Sequence, residues 1–186
     1  IIEYDPPNQF VTAGAGMKLS QLQQTLAANH QWLPLRPPLA DGCTLGGMAA
    51  LGACGPERHR YGAPRDRLLG LRLVCGTGRL IAAGGKVVKN VAGYDVTRLV
   101  TGSAGTLGLI AELTFSVVAM PEACRAATAR GTLGQCAAAA ADLLQGNLEP
   151  TFVTCAADGP AGGDLWRLSV GFEGFDLTVG SQIEKC

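Results

Sequence analysis

The segment Pro37-Pro38-Leu39-Ala40-Asp41-Gly42-Cys43-Thr44-Leu45-Gly46-Gly47-Met48-Ala49-Ala50 decides how the rest of the chain is read. Tandem proline excludes helix at positions 37 and 38. Thr44 is an N-cap residue type, and the small apolar run that follows predicts a helix from Leu45 to about Ala53, closed by the turn at Gly55-Pro56. A helix that opens on paired glycines can present backbone N–H groups to an anionic or carbonyl-rich ligand. Tight packing of a glycine-rich helix against a sheet accounts for the same residues without any ligand.

Upstream, Ile1-Ile2-Glu3-Tyr4 and Phe10-Val11-Thr12-Ala13 predict a hairpin around Asp5-Pro6-Pro7-Asn8, feeding Gly14-Ala15-Gly16. Leu19, Leu22 and Leu26 repeat at helical spacing as far as Asn29, and Trp32-Leu33-Pro34-Leu35 reads as extended. Gly14-Ala15-Gly16 lies between a strand and a helix, yet Leu19 stands where a dinucleotide fingerprint has its third glycine. A phosphate-cradling G-x-x-x-x-G-K-[ST] loop and a Gly-x-Ser-x-Gly elbow are both missing from the sequence, so nucleotide hydrolysis and serine-esterase chemistry lose their simplest support.

Downstream, Gly55 and Arg60-Tyr61-Gly62-Ala63-Pro64-Arg65-Asp66 form a second glycine-bearing loop, in which Arg65 and Asp66 read as a structural charge pair. Leu68 to Val74 and Arg79 to Ala83 flank Gly76-Thr77-Gly78 as a hairpin. A third loop runs from Lys89-Asn90-Val91-Ala92-Gly93-Tyr94-Asp95 through a short helix at Val96 to Val100 into Gly102-Ser103-Ala104-Gly105-Thr106-Leu107-Gly108, ahead of a strand from Leu109 to Val118. Glycines this dense let main chain approach a flat ligand closely. After a break near Met120-Pro121, Thr132-x-x-Gln135 has capping-box spacing before an alanine-rich helix ending near Gly146, and strands are expected at Thr151 to Ala156 and Trp166 to Phe172.

Composition sets the outer limits. The chain has 186 residues, 47% of them hydrophobic, and its 15 basic residues balance 15 acidic ones. A broad positive field for nucleic acid or anionic lipid is therefore excluded. No apolar run reaches the roughly 20 residues a membrane helix needs. The chain opens on Ile1 without a charged leader and reads as a fragment. Seven cysteines at 43, 54, 75, 124, 136, 155 and 186 include no C-x-x-C pair, which predicts reduced, buried thiols in a cytosolic protein. Neither His30 nor His59 has a cysteine at ligand spacing, so no metal site is expected.

Taken together, Leu33-Pro34-Leu35-x-Pro37-Pro38, Thr44-Leu45-Gly46-Gly47-Met48, Lys89-Asn90-Val91-Ala92-Gly93-Tyr94-Asp95 and Gly102-Ser103-x-Gly105-Thr106-Leu107-Gly108 resemble the FAD-linked oxidases with a PCMH-type, vanillyl-alcohol-oxidase-like flavin fold, in the branch of glycolate oxidase and D-lactate dehydrogenase subunits. The resemblance implies an α+β fold: an N-terminally incomplete FAD-binding domain over 1–121 and a small α/β cap-like region over 122–186. It implies FAD as cofactor, with Pro37, Pro38, Asp41, Thr44, Leu45, Gly46, Gly47 and Ala50 beside the pyrophosphate and isoalloxazine. Gly55, Tyr61 and Gly62 would complete the flavin wall, and Gly105, Gly108 and Ile110 would hold the adenine or ribityl side.

By the same resemblance the chain is an FAD-binding subunit of a glycolate, or 2-hydroxy acid, oxidase complex, with a larger FAD-linked catalytic subunit and an iron–sulfur subunit that takes the electrons. It would work in the cytoplasm, or peripherally at the inner membrane through its complex. The alternative is a non-catalytic scaffold that keeps the flavin fold. Relatives carry a glycine-rich pyrophosphate loop ahead of the strand that begins here at Ile1, and many have Glu where this chain has Ala104. Tyr94, Lys89, His30 and His59 are general-base candidates by chemistry only, and no catalytic residue is assigned.

Overall fold

The computed structural model describes residues 1–86, 94–159 and 163–186. They form two units, one of Ile1–Gly55 with Gly62–Met120 and one of Pro56–Tyr61 with Pro121–Cys186.

The first unit is built on an antiparallel five-stranded sheet. Its strands are β1 (Glu3–Asp5), β2 (Phe10–Gly14), β4 (Leu68–Val74), β5 (Leu80–Gly84) and β6 (Leu109–Ser116), in the order β1-β2-β6-β4-β5. The first hairpin closes because the Asp5 carboxylate accepts from both the backbone and the side-chain amide of Asn8. In the second, Gly78 takes a φ of +79°, which a residue with a Cβ rarely adopts. A short pair, β3 (Gln31–Trp32) with β7 (Val118–Ala119), adds a separate two-stranded ribbon.

Helix α1 (Leu19–Ala27) buries Leu19, Leu22 and Leu26, the stripe that a period of 3.6 predicts. They pack into one core with Val11 and Ala13 of β2, Leu71 and Leu73 of β4, and Leu113 and Phe115 of β6. The side-chain amide of Gln23 holds the extended segment after β3 to α1, donating to Leu33 O at 2.7 Å and accepting from Leu33 N at 3.0 Å. Helices α2 (Leu45–Leu51), α4 (Pro64–Arg67) and α5 (Val96–Val100) complete the unit, α2 and α5 sending Met48 and Val100 into the same core.

The second unit is a three-stranded antiparallel sheet in which β10 (Trp166–Gly174) lies between β8 (Ala123–Gly131) and β9 (Phe152–Ala157). Leu168, Val170 and Phe172 alternate along β10 on the face that packs with Cys136 of α6 (Leu133–Gln145) and Val179 of α7 (Asp176–Lys185). The predicted capping box forms: Thr132 N donates to Gln135 Oε1 at 2.9 Å and Gln135 N to Thr132 Oγ1 at 3.3 Å. Helix α3 (Arg58–Tyr61) belongs to this unit.

Two sequence expectations need correction here. The helix expected to Ala53 ends at Leu51, because Gly52 turns left-handed at φ +63° and caps it. The thiols are free but mostly not buried: Cys136 alone is buried, whereas Cys124, Cys155 and Cys186 are exposed. Apolar neighbours in sequence do not bury a residue on an edge strand or at a helix end.

Candidate functional site

The start of α2 is held from both sides. Thr44 caps it, its Oγ1 accepting from Gly47 N at 3.2 Å. The other first-turn donors are also taken: Leu45 N by Met17 O at 2.9 Å, Gly46 N by Ala15 O at 2.8 Å and Met48 N by Thr44 O at 2.8 Å. The expectation that these N–H groups await a ligand is therefore corrected, since each is hydrogen-bonded within the chain.

The paired glycines are there for different reasons. A Cβ on Gly46 would stand 2.7 Å from the Cβ of Ala15, so Gly46 is required by packing. Gly47 faces solvent, and a Cβ there would meet only Thr44 Oγ1, at 3.0 Å. Pro37 and Leu45 are buried, Leu45 within the core, whereas Pro38, Asp41 and Gly42 are exposed. A Cβ on Gly42 would meet nothing within 4 Å, so this main chain is open.

The far end of α2 receives the third glycine loop. Gly102 N donates to Ala49 O at 3.0 Å and Ala104 N to Ala50 O at 2.7 Å, so the structure brings 44–50 and 102–105 together. The loop turns through φ values of +82° at Gly102, +53° at Ala104 and +78° at Gly105. Gly102 and Gly105 open onto space that a Cβ would not fill. Gly108 differs, because a Cβ there would lie 2.6 Å from Val74 O, and Ile110 is a core residue paired with Leu73 across β4 and β6. Sequence reading did not single out Ser103, whose Oγ is buried without a hydrogen-bond partner beside these glycines. Its place inside a run of glycines is the signal that pointed to it.

The middle loop divides. Gly55 is buried and Gly62 takes φ +81°, both in the first unit, whereas Tyr61 lies in the second. Tyr61 donates its hydroxyl to Glu173 Oε2 at 3.0 Å, and burial, reinforced by the Glu173 carboxylate, pushes its pKa up to about 12. Asp66 accepts from Ala63 N at 2.9 Å and so fixes the start of α4, while Arg65 stands 3.9 Å away. Residues 87–93, with Lys89 and the Lys89-to-Gly93 part of the motif, lie outside the described residues. Tyr94, His30 and His59 are exposed.

These residues fit a flat, hydrogen-bonding ligand held by main chain. Open backbone at Gly102 and Gly105 docks on the end of α2, Gly42 is open in the turn ahead of α2, and no residue of 44–50 or 102–106 carries a charge. Residues 1–84 match the FAD binding domain family. This stretch resembles an FAD-binding domain.

FAD is thus the cofactor of this domain type. The chain is 42% identical over 124 residues to the glycolate oxidase subunit GlcE of Escherichia coli strain K12, a match covering 66% of this chain and 35% of that protein. It is 35% identical over 122 residues to the glycolate oxidase subunit GlcD of Bacillus subtilis strain 168, covering 66% and 26%. A D-lactate dehydrogenase of Archaeoglobus fulgidus is 40% identical over 115 residues, covering 61% and 26%. The matches span about a third or less of each relative. An alkyldihydroxyacetonephosphate synthase structure superposes on 100% of this chain and 38% of its own with a TM-score of 0.82 at 21% identity, and so shares the fold.

Proposed function

We propose that this chain is the flavin-binding part of a 2-hydroxy acid oxidoreductase of the glycolate oxidase type. The substrate is oxidised to the 2-oxo acid, and electrons pass on to an iron–sulfur subunit within a complex that also holds a larger FAD-linked subunit. The names of the relatives, glycolate oxidase subunits and D-lactate dehydrogenases, support the substrate class. The observation that carries the cofactor role is the docking of loop 102–105 on the carbonyls of Ala49 and Ala50, beside open main chain.

When bound, FAD supplies a two-electron acceptor. This chain's own part is to bind and orient. The end of α2 fixes the loop, and Gly42 and Gly105 allow close approach. Residues 122–186 would form a substrate-side cap. The complex would work in the cytoplasm or peripherally at the inner membrane.

The test is a visible spectrum after incubation with FAD and desalting, followed by anaerobic addition of glycolate and of D-lactate. Retained flavin that bleaches with either acid is the expected result. Retained flavin that stays oxidised would turn the assignment to the scaffold reading. A folded protein that retains no flavin would contradict the cofactor assignment.

A further inference from the structure

Two cysteines far apart in sequence meet in the second unit. Cys136 lies in the first turn of α6, 3% exposed, its thiol donating to Trp166 O at 3.7 Å. Cys155 is exposed on β9. The register of β9 on β10 sets Cys155 opposite Leu168 and Val153 opposite Val170, and residues directly opposite share a face. Leu168 and Val170 pack with Cys136, so Cys155 stands on the same helix-covered face. The Cys136 thiol is near enough to act on the Cys155 thiol electrostatically. Cys124 is excluded from the pair, since it lies opposite Glu173, whose side chain alternates to the other face.

We propose that Cys136 and Cys155 form a redox-sensitive dithiol that closes to a reversible disulfide between α6 and β9 under hydrogen peroxide. The thiolate of exposed Cys155 attacks one peroxide oxygen; the O–O bond breaks, and the other oxygen leaves as water after taking a proton. The Cys136 thiolate then attacks the resulting sulfenic sulfur, forming the S–S bond and releasing a second water. Two thiols lose two electrons and two protons, and one peroxide becomes two waters. The bond ties α6 to β9 at the helix's first turn. Further along, α6 supplies Ala139, Asp142 and Leu143 to one wall of an open groove of about 930 Å³, so oxidation fixes that wall.

Local desolvation and the adjacent Cys136 thiol raise the Cys155 pKa above the usual thiol range. The reaction is therefore expected to be slow at neutral pH and to speed up as pH rises. The tryptic peptide 131–167 contains both thiols and no other cysteine, and Asp142 lies between them. The chain is treated with hydrogen peroxide, alkylated, and digested with trypsin and then with a protease that cuts on the N-terminal side of aspartate. The expected result is joint loss of alkylation at both positions, with the two halves of the peptide joined until dithiothreitol is added. In Cys136→Ser, Cys155 should go on to sulfinic acid. The proposal is overturned if both thiols still alkylate, if wild-type Cys155 reaches sulfinic acid while Cys136 stays free, or if either cysteine pairs with Cys124 or Cys186.

Discussion

The two units differ in the size of their cores and in where their open glycines lie. Among the described residues, the first packs eighteen buried hydrophobic residues into one cluster, and the second packs five. In the second unit Gly171 makes room, since it lies under the ring of Phe152, where any Cβ would collide, while Gly159 borders open space. In the first unit Gly46 and Gly108 also make room, while Gly42, Gly102 and Gly105 border open space. A glycine that nothing crowds is not required by packing. At Gly102 and Gly105 the left-handed φ accounts for the residue, but Gly42, like Gly14, Gly16, Gly76 and Gly85, has neither reason; of these it is the one in the segment that leads into α2, so ligand approach there is separable from folding.

The largest effect should come from the first unit's core. Phe115→Ala removes a fully buried ring and should cost about 3–5 kcal/mol, read by denaturant unfolding. An equal cost for exposed Leu177→Ala in α7 would break the distinction between core and surface. Next, Gly46→Val forces a side chain onto Ala15 and should destabilise by about 1–3 kcal/mol or more, lowering flavin retention only as folded protein is lost. Gly42→Val should leave the melting temperature nearly unchanged and still lose flavin. The pair thus separates packing glycine from ligand glycine.

Smaller effects sharpen the comparison between units. Thr44→Ala and Thr132→Ala remove N-caps in the first and second units and should each cost about 1 kcal/mol, seen in thermal melts. Only Thr44→Ala should also weaken flavin binding, because α2 carries the loop at 102–105 and α6 does not. The smallest effect is at Tyr61. Its folded pKa lies above the unfolded value, so the stability it contributes is complete below about pH 10 and is lost as pH rises toward about 12. Melts of Tyr61→Phe should show a flatter decline over that alkaline window than wild type.

Much of this fold is legible in the sequence, and the exceptions share a cause. The β1–β2 and β4–β5 hairpins, α1, α5, the capping box of α6, β9 and β10 announce themselves through turn residues, leucine spacing or alternation. Strand β8 does not: Ala123 to Gly131 is alanine and arginine on an exposed edge, and becomes a strand because β10 pairs with it along its whole length. Helix α7 is similarly hidden by Gly180 and by the absence of a side-chain cap. At the site, the sequence marks α2 and loop 102–105 but not which donors remain open. The acceptors that occupy Leu45 N and Gly46 N are carbonyls of Met17 and Ala15, and local reading cannot see a tertiary partner. Likewise, nothing near Tyr61 in sequence signals Glu173.

The most direct test of the central claim, that open main chain at Gly42 and 102–105 receives FAD, is a flavin fluorescence titration of wild type and Gly42→Val, each with a thermal melt. Saturable quenching in wild type and its loss in a Gly42→Val protein that melts as wild type does is the predicted result. Equal FAD affinity in the two proteins would contradict it and move the flavin away from this face of the domain.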